Sequence, residues 1–150
     1  MAIALATIRT GTYTSLFTLL TANKPTYTYN SGTLTYTIYS AYPQKNPSFP
    51  CIVINKAVIK NPLITMAGTT NDTEIEVTFD YYAKELHGIK AIEAGQDGTM
   101  NTIIGNIATF IATDKISPQE DFWSDGVVSP IEDNNQLINT SQSTVRFKLN

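Results

Sequence analysis

Glu74 and Glu76 stand two residues apart in a chain that otherwise offers little to chemistry. Two carboxylates at such a spacing superficially resemble the acid and base pair of a glycosidase. Here they belong to the alternating stretch Glu74-Ile-Glu-Val-Thr-Phe-Asp-Tyr-Tyr82, so both project from the solvated side of a strand, where nothing signals the burial that would raise one of them into a general acid. His87 is the only histidine, which excludes a two-histidine zinc set within one chain, and it reads as a solvated loop residue. Cys51 is the only cysteine, so no intrachain disulfide or cysteine cluster forms; followed by Ile52-Val53-Ile54, it reads as a small buried residue. No glycine-rich phosphate loop occurs. The residues imply no catalyst, no metal and no cofactor.

Charge is the feature that remains. The first 71 residues carry five bases (Arg9, Lys24, Lys45, Lys56 and Lys60) and no acid. Residues 72–133 hold all thirteen acids against three bases, a balance of −10, and Arg146 and Lys148 return the total to −3. Opposed fields of this kind steer association and set its register if the fold keeps them apart. The bases are scattered and the pI is about 5.0, which argues against a nucleic-acid grip. Carboxylates at Glu74, Glu76 and Asp80 would instead suit a wall past which a duplex slides, and equally a solvated sheet face. If the last strand lies beside them, Arg146 and Lys148 would cancel part of that acidic face.

The elements that position these residues follow from periodicity. Tyr13, Leu16, Phe17 and Leu20 share one face of a helix over roughly residues 6–22, which its threonines and Gly11 oppose and packing must hold. Residues 33–39 alternate as a strand, with 26–29 as a hairpin partner across Asn30-Ser31-Gly32. Residues 42–50 contain three prolines and read as a loop. Residues 51–59 are a buried strand, with a resumption at 63–66 before a turn at 67–72. After the acidic strand, residues 83–98 hold three glycines and read as a loop, and Met100 to Ile111 as a helix of about 14 residues ending near Thr113. Residues 114–141 read as turn-rich; inside them Phe122-Trp123 is either a satellite core or an interface anchor. Residues 143–149 form a last strand. The expectation is one α+β domain over 1–150, a two-layer arrangement with a mostly antiparallel sheet of about four strands, helices on one face and the order α-β-β-β-α-β. The start lacks the marks of a signal peptide, and no run is long enough for a membrane helix, so a cytosolic compartment at synthesis, without a membrane, is expected.

The order of segments resembles the tail terminator, or tail completion, proteins of long-tailed bacteriophages and related head-tailed viruses. The matching stretches are Ile8-Arg-Thr-Gly-Thr-Tyr-Thr-Ser-Leu-Phe-Thr-Leu-Leu20, Pro47-Ser-Phe-Pro-Cys-Ile-Val-Ile54, and Glu74-Ile-Glu-Val-Thr-Phe-Asp-Tyr-Tyr-Ala-Lys84 with the helix that follows it. The resemblance implies a virion protein that forms a homohexameric ring, caps the tail tube, ends its polymerisation and joins it to head connector proteins, with double-stranded DNA passing through the channel unrecognised. Interface or lumen positions would be Glu74, Glu76, Asp80, Phe49, Phe122 and Trp123, and the 43–50 loop and the 117–131 segment would reach out of the domain. The threonine-rich first helix and the long 114–141 segment depart from the usual look and leave another neck or tail tube role open. The competing class is a small protein- or carbohydrate-binding module using Tyr36, Tyr39, Tyr42 and Trp123.

Overall fold

The computed structural model describes residues 5–43, 45, 47–60, 73–112, 116–133 and 135–149. The expected strand at 63–66 and turn at 67–72 lie outside them.

Helix α1 (Leu5–Ala22) buries Thr12, Leu16 and Leu20, one residue per turn at spacings of four, and lies over the sheet at β3 and β4. The hairpin of β1 (Thr26–Tyr29) and β2 (Gly32–Thr35) forms its own two-stranded sheet. Its two-residue loop, Asn30-Ser31, has φ of 48° and 67°, the positive pair that matches the natural twist of a tight hairpin. The strand expected over 33–39 is broken at Tyr36, whose amide donates to the Pro25 carbonyl, so β2 pairs back on β1 while β3 (Thr37–Tyr39) moves to the main sheet. Tyr36 is fully buried at the break and its hydroxyl donates to the Ala91 carbonyl.

The main sheet has the order β3-β4-β5-β8-β6, with β4 at Cys51–Lys60, β5 at Glu74–Lys84, β6 at Ile116–Asp125 and β8 at Gln136–Leu149; β7 (Ser129–Asp133) follows β6 along the same side of β8. β3 and β4 are parallel and the other pairs antiparallel. Ile75, Val77, Phe79, Tyr81 and Ala83 of β5 are all fully buried beneath the helices, as the alternation of the sequence requires.

The expected arrangement of about four strands in the order α-β-β-β-α-β is therefore overturned. Among the described residues there are eight strands and three helices, in an α+β fold of order α-β-β-β-β-β-α-α-β-β-β with a mixed main sheet. Three segments account for the difference, the first being residues 26–39, split between the hairpin of β1 and β2 and the main-sheet strand β3. Residues 83–98 finish β5, make a 3-10 turn (Glu85–His87) and start helix α2 (Ile89–Ile104), which breaks at Gly105 before the short α3 (Ile107–Ala112). Two of the three glycines that suggested a loop are contact points on α2: a β-carbon on Gly95 would lie 2.6 Å from the Tyr36 ring, and one on Gly98 would lie 2.8 Å from Pro25. Residues 114–141, expected as turns, supply β6 and β7. They carry few apolar residues because they form the edge of the sheet, where one side of the backbone has no strand to meet.

Candidate functional site

The open face of β5 places Glu74, Glu76, Thr78, Asp80, Tyr82 and Lys84 in cross-strand register with β4 and β8. Glu74 lies between Lys60 and Lys148, and Glu76 lies opposite Arg146. Lys60 Nζ reaches the Glu76 carboxylate at 2.8 Å, while Arg146 Nη2 turns away to the Asp121 carboxylate at 2.7 Å and to its carbonyl at 2.6 Å. Asp80 is buried, accepting from the Asn55 side-chain amide at 2.7 Å and from that of Gln142 at 2.8 Å. The three acids share one face, but opposite charges or amide donors answer each of them. Nothing here isolates a carboxylate for proton transfer, and among the described residues no three His, Cys, Asp or Glu side chains converge as a metal site.

The other singled-out residues occupy separate places. Phe49 is half-buried in the loop before β4. Phe122 and Trp123 are half-buried and pack against the core, with Trp123 in register with the buried Val145. Cys51 has no exposed surface, and burial pushes its thiol pKa up to about 12, so the thiolate a nucleophile needs is suppressed. The His87 ring meets the Tyr29 ring edge-on at 4.9 Å; burial, with Lys84 nearby, lowers its pKa. Tyr36 is in the core, whereas Tyr42 packs its ring on Tyr82 at 4.9 Å on the open face and Tyr39 accepts from the Ser48 amide.

The charge separation reappears at the two ends of the strand order. On one side, β3, β4 and the residues between them carry Lys45, Lys56 and Lys60 and no acid, although Lys60 is shared with Glu76. On the other, residues 116–133 carry Glu120, Asp121, Asp125, Glu132 and Asp133 and no base, with Asp121 answered by Arg146 and Asp125 accepting from the Ser143 hydroxyl at 2.7 Å. Among the described residues both sides are edges with unpaired stretches. β3 covers only Cys51, Ile52 and Val53 of β4, and among the described residues no strand pairs with β4 beyond them on that side or with β6 and β7 on the side away from β8.

Each edge has an apolar feature that periodicity did not signal. Between α1 and the free edge of β4 lies a groove of about 610 Å³, lined by Arg9, Thr10, Tyr13, Asn55, Ala57, Val58 and Ile59. The Tyr13 hydroxyl is buried with no hydrogen-bond partner among the described residues. On the acidic edge, Val127 sits in the gap between β6 and β7 with 87% of its surface exposed. A polar seam holds that gap in place: Gly126 donates its amide to the Gln142 carbonyl at 2.6 Å and accepts from the Ser141 hydroxyl at 2.8 Å, and the Gln96 amide of α2 donates to Ser141 at 3.1 Å. The sequence signal for the acidic edge was its run of five acids without a base. No family model matches the chain, and no curated protein matches its sequence.

Proposed function

We propose that the chain is a structural virion subunit that assembles with itself into a closed ring, hexameric in the reading suggested by the resemblance. The ring would cap the tail tube of a head-tailed virus, stop tube growth and present a docking surface to the head connector. Its work is assembly without catalysis, and double-stranded DNA would cross the ring without specific contacts.

The observation that carries this reading is the pair of oppositely charged edges at the two ends of one sheet, which no other described strand completes. A surface of one kind at one end and its complement at the other gives a heterologous contact, in which every copy donates once and accepts once. Such contacts close into rings when the rotation between copies permits. The open face of β5 fits the lumen role less well than its sequence suggested, because Lys60, Arg146 and Lys148 lie among its acids.

The test is negative-stain imaging of the purified protein, alone and mixed with tail tubes of the virus that encodes it. Rings seated on tube ends are expected. Bare tube ends together with a protein that stays monomeric in both samples would contradict the proposal.

A further inference from the structure

Resting on the reading that copies of this chain assemble, we propose that the groove between α1 and the β4 edge receives the acidic β6–β7 edge of a second copy. Val127 of the incoming copy would seat among Tyr13, Ala57, Val58 and Ile59, with Arg9 turned toward its carboxylates.

Three observations select this occupant. The groove contains residues from both faces of β4 (Ala57 and Ile59 from one, Val58 from the other), so it runs along the strand's edge, and no backbone hydrogen bond from another described segment reaches residues 55–60 there. A strand edge in this condition takes up an extended segment. Next, the charges are complementary: Arg9 is the one charged residue among the described lining of the groove, whereas the donor edge holds five acids and no base. Last, Val127 is an apolar side chain with almost no cover of its own, and Ala57, Val58 and Ile59 give the groove apolar surface to meet it. The prolines limit the contact. Pro118 and Pro130 lie in β6 and β7 and remove amide donors from that edge, which leaves the stretch between them to make contact and blunts unrestricted sheet-to-sheet growth. Because donor and acceptor lie at opposite ends of the strand order, no copy uses the same patch twice, and a two-fold dimer cannot satisfy the contact.

The experiment uses the full chain carrying Arg9→Glu or Val127→Asp, both at exposed positions where the fold tolerates a polar side chain. Sedimentation and native mass measurements at low salt should show the unsubstituted protein self-associating and each variant monomeric. An equimolar mixture of the two variants should give dimers and nothing larger, since one variant retains an intact donor edge and the other an intact groove. The Kd of the unsubstituted protein should rise by about tenfold or more between roughly 0.05 and 0.5 M salt, as charge steering is screened. An unsubstituted protein that remains monomeric, variants that associate like it, or a mixture that yields no dimers would overturn the inference. Tube capping, scored separately, keeps the two claims apart: dimers from the mixture with bare tube ends would sink the tail reading alone, and capped tubes with either variant would sink this interface alone.

Discussion

Gly95 on α2 faces the ring of Tyr36, and replacing it with alanine sets two effects of known size against each other. Alanine gains about 1 kcal/mol over glycine in a helix interior. Its β-carbon, however, would stand 2.6 Å from Tyr36 Cζ and 2.7 Å from the hydroxyl oxygen. Tyr36 has no exposed surface and its hydroxyl is committed to the Ala91 carbonyl one turn earlier on the same helix, so the ring cannot swing aside without losing that bond. Overpacking of a dense core costs about 1–3 kcal/mol, and a buried hydroxyl left without its partner costs about 1–3 kcal/mol more. The net expectation for Gly95→Ala is a loss of about 3 kcal/mol, which for a chain of this length lowers Tm by about 6–12 °C. Urea titration followed by circular dichroism reads the stability. In a Tyr36→Leu background the ring is gone, and Gly95→Ala should be neutral or stabilising, a coupling expected only of residues in contact. A Gly95→Ala protein as stable as its parent, or a penalty equal in both backgrounds, would refute the claim that this glycine exists to admit the tyrosine.

Asp80→Ala should cost about 2 kcal/mol in a urea titration, because a buried carboxylate gives up two charge-assisted bonds from the Asn55 and Gln142 amides, which then turn to water. Glu76→Gln should cost under about 1 kcal/mol by the same measurement, since its partner Lys60 is 47% exposed and solvent screens the pair. Raising the pH should destabilise the fold through Cys51, Tyr36 and Tyr81. Burial raises all three above their ordinary values of 9.0 for the thiol and 10.0 for the phenols, so the native state holds their protons more tightly than the unfolded chain does. Their stabilisation is complete below about pH 9 and declines as pH rises through the unfolded values, by about 1.4 kcal/mol per pH unit for each group. An alkaline titration followed by tyrosine absorbance should then show late phenols, Tyr36 and Tyr81 among them, that ionise only as the fold is lost. The Cys51 thiol should resist alkylation at pH 8 in the native protein and react at once in denaturant.

The parts of the fold legible in the sequence were those where burial on one side imposes a pattern. The alternation of β5, the helical face of Tyr13, Leu16, Phe17 and Leu20, and the hairpin at Asn30-Ser31 all state their environment directly. The register of β5 against β8 was foreshadowed by Arg146 and Lys148, which oppose Glu76 and Glu74. What stayed hidden depended on partners distant in the chain. Gly95 and Gly98 look like breakers until Tyr36 and Pro25 are seen against them, and an edge strand with prolines and acids looks like a loop until β8 is seen to pair with it. The candidate site was half visible. Composition announced that acids and bases are segregated, but it placed the acidic surface on β5, where the main-sheet neighbours cancel it, and only the strand order moves it to the β6–β7 edge.

The mass of the assembled species tests the central claim most directly. If the two edges meet head to tail and close, native mass spectrometry of the purified protein at low salt should give a single closed stoichiometry, six copies under the proposed ring, that dissociates as salt is raised. A monomer under every condition, or an even-numbered dimer that shows no response to salt, would contradict it.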